Sequence, residues 1–347
     1  MSLTPIGAAP IAATRIALVG CGLISEAHVR GYADHSGRAK VVTCFDIDEA
    51  KAKERAAQAG GADIAPSFES ILEDPSIDAI DLCTPPHLHP EAVIAAAKAG
   101  KHVCCQKPLA RTLAECEKMA EAHAQAGTVL YYAEFYRTMP AAVMARKLIE
   151  EGRIGALVGI QATYAHWQGG AYLGTPWRYD PKVAGGGVLL DGGIHTVDLL
   201  RVVGGDVDSV SCFTRRVRPE LGGEDTSVVN IRFAGGHFGT MISTQAAGTW
   251  YSGPQCAIFG TEGILTIGGP FGPLALHRDD LPDRIEVLQN DRPDLFSAML
   301  AHFLDAVDGQ PNISPAREGI EDLRVVLAAY RSAELGREVH VAEIQAQ

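Results

Sequence analysis

The sequence predicts an α/β protein with two domains, and three observations point to that class. Apolar, strand-like runs alternate with amphipathic helical stretches early in the chain, and a glycine-rich turn follows the first of these strands. Later strands alternate apolar and polar residues, which is typical of half-exposed antiparallel sheets. At 347 residues the chain is long enough for two cores. We predict an N-terminal doubly wound parallel sheet over 13–133 and a second α/β domain over 134–345.

The order of elements supports both halves of this prediction. In the first domain, strands are predicted at 15–19, 41–46, 79–83, 102–104 and 129–133. Helices are predicted at 49–59, 90–99 and 113–126. The antiparallel strands of the second domain are predicted within 207–267, and two helices follow at 294–308 and 315–335.

A glycine loop marks a candidate nucleotide site after the first strand. Gly20 permits a tight turn, and Gly22 lets the backbone approach a pyrophosphate at the positive end of the helix that follows. Leu23 and Ile24 belong to the same candidate cofactor loop, and Ser25, in place of a third glycine, is still small enough for close packing.

Asp46 ends the second strand, at the distance expected for the carboxylate that hydrogen-bonds an adenosine ribose. The alternative is that Asp46 only caps the next helix. The residue after it is Ile47 and not arginine. Because a carboxylate would repel a 2′-phosphate, this position favours NAD over NADP.

Charge and cysteine usage narrow the class of protein. The formal net charge is −12 and no Lys/Arg-rich run occurs, so nucleic acid and anionic membranes are poor partners. No spanning helix and no secretory signal are predicted. The eight cysteines lack CxxC pairs or a regular disulfide spacing, which favours a reduced, cytoplasmic protein without structural zinc.

The stretch AGGGVLLDGGIHTVDLL, residues 184–200, places Asp191 and His195 four residues apart. If the stretch is helical, both side chains lie on one face, one turn apart. Taken alone, the pair fits a catalytic couple, a metal site or a polar pair inside a core.

Three spaced motifs resemble the Gfo/Idh/MocA family of oxidoreductases. They are the glycine loop, the stretch TPPHLHPEAVIAAAKAGKHVCCQKPLA at 84–110 and the motif at 185–198. The resemblance spans nearly the whole chain. It implies a Rossmann domain followed by an α/β domain whose large, open, mainly antiparallel sheet mediates oligomerisation, so a homodimer or homotetramer is expected.

The resemblance also implies roles for the middle motif. The family pattern falls on Thr84 and His89 in a loop lining the nicotinamide side of the cofactor. The family's Glu-Lys-Pro appears as Gln106, Lys107 and a proline that often follows a cis bond in relatives. Lys107 is thereby a catalytic candidate. Gln106 is still able to hydrogen-bond the cofactor, but it lacks the family's negative charge, which alters the expected pH optimum.

On the same resemblance, Asp191 and His195 meet Lys107 at the reactive carbon, with His195 as general acid/base and no metal in the site. The small residues before Asp191 let the helix approach the nicotinamide. Trp177 and Arg178 precede this motif and are substrate candidates.

These expectations converge on one function, an NAD-dependent oxidoreductase that transfers a hydride between a secondary alcohol of a sugar, cyclitol or related polyol and the nicotinamide. Two alternatives stay open. One is a redox-neutral enzyme of the glycosidase or isomerase type that retains NAD. The other is a non-catalytic NAD(P)-sensing regulator.

Overall fold

The N-terminal sheet determines where the strand ends and their loops meet. The computed structural model describes residues 13–167, 175–269, 272–289 and 294–346. The first domain contains β1 (Thr14–Val19), α1 (Leu23–Asp34), β2 (Ala39–Phe45), α2 (Glu49–Gln58), β3 (Asp63–Ile64), α3 (Phe68–Glu73), β4 (Ala79–Leu82), α4 (His89–Lys98), β5 (His102–Gln106), α5 (Leu113–Ala126) and β6 (Leu130–Ala133).

Its six strands are all parallel, in the order β3-β2-β1-β4-β5-β6. The predicted doubly wound sheet is confirmed, and the predicted helices and strands end within a few residues of the observed ones. The strand order reverses between β1 and β4, so their carboxyl ends flank the crevice where such sheets bind ligands. Sequence analysis did not predict β3 and α3, which are short and carry little periodicity.

The second domain is built on a larger sheet. Its elements are α6 (Pro140–Glu150), β7 (Leu157–Ala165), α7 (Pro181–Ala184), α8 (Val188–Asp191), α9 (Gly193–Gly204), β8 (Val207–Arg215), β9 (Thr226–Phe233), β10 (Phe238–Thr244), β11 (Cys256–Gly260), β12 (Ile264–Ile267), β13 (Leu274–His277), β14 (Ile285–Gln289), α10 (Leu295–Val307), α11 (Ala316–Leu335) and β15 (Val339–His340). In the described residues its nine strands run β14-β13-β12-β11-β7-β10-β9-β8-β15, and of these pairs only β7 with β10 is parallel. The predicted open, mainly antiparallel sheet is confirmed.

The helix α10 packs on the first domain, although the chain reaches it after the second sheet. Met299, Leu300 and Phe303 are buried in one cluster with residues of β1 and β2. Gly31 on α1 permits this approach, since a Cβ there would lie 2.9 Å from a Leu300 methyl carbon. A helix late in the chain therefore packs on the N-terminal domain.

No helix in the described part of the chain is long and apolar enough to cross a membrane.

Candidate active site

The glycine loop between β1 and α1 is shaped for close backbone contact. Gly20 has φ +88°, and a Cβ at that residue would lie 2.7 Å from the carbonyl carbon of Cys83 on the neighbouring loop. Gly22 precedes α1, and no side chain caps that end of the helix. Ser25 donates to the carbonyl of Gly22 at 2.6 Å and so stiffens the turn. Unpaired N–H groups at the start of a helix attract a phosphate.

The other two loop candidates, Leu23 and Ile24, form the first turn of α1. Leu23 is exposed, while Ile24 packs on the core of the first domain. Of the two, Leu23 is therefore the side chain that lies at the surface of the loop.

Asp46 braces the glycine loop from the end of β2. One carboxylate oxygen accepts the N–H of Cys21 at 2.7 Å, and the other accepts the N–H of Asp48 at 2.8 Å. The helix α2 is capped by Asp48 itself, which accepts from Ala50, so the capping alternative for Asp46 is wrong. Ile47 is 99% exposed.

His89 connects the loop that contains Thr84 to the turn that contains Pro108 and Leu109. Its ring is completely buried, with Nε2 2.8 Å from the carbonyl of Thr84 and Nδ1 3.1 Å from the carbonyls of Pro108 and Leu109. The sequence placed His89 in the cofactor site, but these contacts make it a support of the loop. Thr84 belongs to the loop itself, and its buried hydroxyl has no hydrogen-bond partner among the described residues.

Gln106 also points into the first domain. Its amide nitrogen lies 2.7 Å from Nε2 of His28, whose Nδ1 lies 2.7 Å from a carboxylate oxygen of Asp81. All three side chains are buried. The Gln106 amide nitrogen therefore has a histidine partner within the first domain, and its hydrogen bond to the cofactor stays a prediction. An imidazole that donates to Asp81 from Nδ1 offers only a lone pair at Nε2, which suits an amide donor.

Lys107 follows Gln106 and reaches the second domain. The Lys107–Pro108 peptide bond is cis, as the resemblance implied. The ammonium group donates to the main-chain carbonyl of Asp191 at 2.5 Å and lies 3.6 Å from its carboxylate. The two predicted residues are therefore brought together across the domain junction.

The carboxylate of Asp191 is surrounded by donors. Arg178 lies 3.5 Å from it, and the Gln245 amide donates to it at 3.2 Å. Burial raises the pKa of Asp191, but Lys107, Arg178 and the Gln245 hydrogen bond outweigh burial and hold that pKa well below its usual value. Asp191 is therefore ionised at neutral pH.

His195 lies in the first turn of the next helix, α9, which begins at Gly193 after the N-cap Gly192. Its Nδ1 lies 2.7 Å from both carboxylate oxygens of Glu134, a fully buried residue at the end of β6. Burial lowers the pKa of His195, Glu134 raises it and Lys107 lowers it, and the net result is a lowered pKa. His195 is thus mostly neutral at pH 7, as a general base requires.

The glycine triplet before α8 serves packing inside the second domain. A Cβ at Gly186 would lie 2.3 Å from the Tyr330 hydroxyl, and one at Gly187 would lie 2.1 Å from the carbonyl oxygen of Glu224. The Glu224 side chain accepts from the N–H of Leu189 at 3.0 Å and from Tyr330 at 2.8 Å. The triplet therefore lets a buried carboxylate seat the helix that carries Asp191.

A cavity opens beside Asp191. The residues that line it include Trp177, Arg178, Asp191, Glu224 and Gln245, together with the glycines at 186–187 and 222–223. The guanidinium of Arg178 stacks over the Trp177 ring, 4.3 Å from its centre. An aromatic face beside several hydrogen-bonding groups suits a polyhydroxylated ring.

Comparison with known proteins decides the family. Residues 14–134 match the oxidoreductase family model with an NAD-binding Rossmann fold, and 142–266 match the GFO/IDH/MocA C-terminal domain. The 1,5-anhydro-D-fructose reductase of Ensifer adhaerens is 30% identical over 345 residues, covering 94% of this chain and 98% of that protein. The chain belongs to the Gfo/Idh/MocA family.

Other members of the family agree with this assignment. Levoglucosan dehydrogenase of Pseudarthrobacter phenanthrenivorans is 32% identical over 283 residues, which are 72% of each chain. A structure of levoglucosan dehydrogenase with NADH and levoglucosan superposes with a TM-score of 0.86 at 27% identity, covering 95% of this chain and 99% of that one. The protein described here is therefore an oxidoreductase, and its cofactor is NAD.

The described loops fit that cofactor. The clash-free approach at Gly22, the uncapped start of α1 and the unpartnered Thr84 hydroxyl all lie at the carboxyl edge of the parallel sheet. Gly20 and Gly22 would hold the pyrophosphate, and Thr84 would face the other half of the dinucleotide.

Three residues of the site were missed by sequence analysis, namely Glu134, Glu224 and Gln245. Glu134 lies 61 residues from His195, and no short motif links the two. The only available signal was that a carboxylate directly follows the apolar strand β6, at the edge where ligands bind.

A buried ion cluster lies behind the site. Arg137, in the 3₁₀ turn Phe135–Thr138, is the central cation of this cluster. Arg137 pairs with Asp198 on α9 and lies 3.1 Å from Glu318 on α11, while Arg201 lies 2.6 Å from Asp322. Burial and repulsion from Asp322 raise the pKa of Asp198 well above its usual value, despite Arg137.

Replacing Arg137 by methionine is expected to lower the free energy of unfolding by about 3–5 kcal/mol near pH 7, because buried carboxylates lose their partner. The raised pKa of Asp198 means that acid protonates this group in the folded protein, so the loss becomes smaller as the pH falls towards about 5. Denaturant unfolding at both pH values measures this. The control Arg146→Met removes an exposed pair with Glu150 and is expected to cost less than about 0.5 kcal/mol.

Proposed function

We propose that this chain is an NAD-dependent dehydrogenase of a sugar, cyclitol or related polyol, with Lys107, Asp191 and His195 handling the substrate's proton. The observation that carries the proposal is the convergence of these three side chains at the domain junction. Lys107 lies 3.6 Å from the Asp191 carboxylate, and the charges of both residues act on His195. Asp191, Trp177 and Arg178 line the adjacent cavity. Relatives whose names record action on levoglucosan, 1,5-anhydro-D-fructose and myo-inositol support the substrate class.

Each side chain has a distinct task in this proposal. Neutral His195 takes the proton of the reacting hydroxyl, and the Lys107 ammonium donates to the oxygen as negative charge develops on it. The ionised Asp191 holds Lys107 and accepts a hydrogen bond from the substrate. Bound NAD supplies hydride chemistry. Trp177 and Arg178 orient the ring so that one carbon is presented.

The deciding experiment follows reduced-nicotinamide absorbance with NAD, and separately NADP, over a panel of cyclitols, aldoses and sugar acids. We expect a signal with one substrate group, lowered about 10²–10⁴-fold in Lys107→Ala and in His195→Ala. Lys147→Ala and His302→Ala, both at exposed residues, are the controls and should keep full activity. Silence with all substrates would contradict the proposal, and NAD retained on the purified protein would then favour the redox-neutral or sensing alternative.

Asp46 sets the cofactor preference in this proposal, since its carboxylate lies beside the glycine loop. Asp46→Ser is expected to lower the ratio of kcat/KM for NAD to that for NADP, because the charge that repels a 2′-phosphate is gone. Asp48→Ser is the matched control, as serine still caps α2. An unchanged ratio in Asp46→Ser would show that other residues choose the cofactor.

We also infer a homodimer or homotetramer that assembles through the open face of the second sheet. Phe213, Val228 and Ile242 lie side by side on β8, β9 and β10, and Phe213 is 70% exposed while Ile242 is 41% exposed. A contiguous apolar row on a sheet marks an interaction surface. Light scattering should show Phe213→Glu as a smaller species than the wild type, whereas Val143→Glu, at an exposed position on α6, keeps the wild-type mass. A monomeric wild type would overturn this inference.

The cytoplasmic location stays our inference from cysteine chemistry. All eight cysteines are free and buried, which is typical of a reducing compartment. Alkylation of the protein unfolded in denaturant, with and without prior reduction, should label the same eight thiols.

A further inference from the structure

A buried carboxylate lies directly under the imidazole of His195. Glu134 is completely inaccessible to solvent, and both of its oxygens lie 2.7 Å from Nδ1 of His195. Glu134 directly follows β6. Its side chain accepts the N–H of Tyr136 at 3.0 Å and so caps the 3₁₀ turn Phe135–Thr138. The carboxylate is thereby fixed in place before any ligand binds.

The imidazole ring itself is held by aromatic neighbours. The Tyr136 ring stacks on it with centres 4.9 Å apart and planes 18° apart, and Phe135 lies 4.9 Å away at 49°. Rotation of the imidazole would break both the stacking and the contact with Glu134. Nδ1 is therefore directed at Glu134, and Nε2 is directed away from it.

The electrostatic surroundings assign the proton on this ring. The charged groups facing His195 are Glu134, Lys107 and Asp191. Burial raises the pKa of Glu134, but attraction to His195, the hydrogen bond from His195 and the Tyr136 N–H outweigh it, so the net pKa is lowered. An ionised carboxylate only accepts hydrogen bonds, so Nδ1 of His195 must be the donor.

We propose that Glu134 is a positioning residue of the dehydrogenase, which holds His195 as the Nδ1–H tautomer and leaves the Nε2 lone pair to take the hydroxyl proton of the substrate. In that step the O–H bond breaks as an Nε2–H bond forms, and the C–H electron pair leaves as the hydride that NAD accepts. The products are a carbonyl compound, NADH and an imidazolium whose charge Glu134 stabilises. The catalytic part of this proposal rests on the proposed function.

The tautomer is testable without any substrate. In full-length protein labelled with ¹⁵N-histidine, the ring nitrogens of His195 are assigned from the signals lost in His195→Asn. We expect a protonated Nδ1 and an unprotonated Nε2 near neutral pH. A predominant Nε2–H tautomer in the wild type would overturn the proposal, whether or not any sugar is oxidised and whether or not a Glu134 variant folds.

Kinetics of Glu134→Gln test the consequence for catalysis. An amide carries no charge and both donates and accepts, so kcat is expected to fall about 10²–10⁴-fold. Losing a group that raises the pKa of His195 moves the acid limb of the kcat/KM profile to lower pH by about one unit. Glu134→Asp retains the charge and should retain much of the wild-type limb. NADH affinity is expected to stay unchanged in both variants.

The matched control is Glu115→Gln, which removes a carboxylate that accepts two backbone N–H groups at the start of α5. It should keep the wild-type pH profile and kcat. An unshifted acid limb and an unchanged kcat in Glu134→Gln would overturn the role of Glu134. If the wild type oxidises no sugar at all, the proposed function has failed, and the tautomer measurement still decides whether Glu134 sets the protonation of His195.

Discussion

The site depends on one contact across the domain junction, in which the ammonium of Lys107 donates to the main-chain carbonyl of Asp191. Lys107 comes from the end of β5 in the parallel sheet, and Asp191 comes from the end of α8 in the second domain. Neither domain alone forms this contact, because Lys107 belongs to the first domain and Asp191 to the second. Because the contact uses a main-chain atom, it holds the backbone of α8 and leaves the Asp191 carboxylate available for other donors.

Two kinds of support hold this contact in place. On the first domain, His89 ties the Thr84 loop to the turn after Lys107. On the second, Glu224 accepts from Leu189 and Tyr330 and so seats α8. Neither residue has to touch substrate or cofactor to matter, since a shift of about 1 Å in the Thr84 loop or in α8 would weaken the contact between Lys107 and Asp191.

Local sequence patterns predict much of the fold and part of the candidate site. The glycine loop and the alternation of strands and helices rest on short spacings. The three candidates Lys107, Asp191 and His195 rest on the resemblance of the motifs to the family, and the structure brings the three together. The roles of His89 and Gln106 were not readable in this way. Both side chains turn inward to partners that are far from them in sequence, such as His28 for Gln106.

The sequence by itself determined the fold class and the position of the nucleotide loop, because these follow from hydrophobic periodicity and from glycines that a tight turn requires. It also indicated the family, through the resemblance of three spaced motifs. Only the tertiary structure decided which carboxylate serves which cation or imidazole. Glu134 pairs with His195, Asp198 pairs with Arg137, and Asp191 faces Lys107 and Arg178. Such pairings depend on burial, since in a low-dielectric interior a charge must find a partner in space, however distant that partner is along the chain.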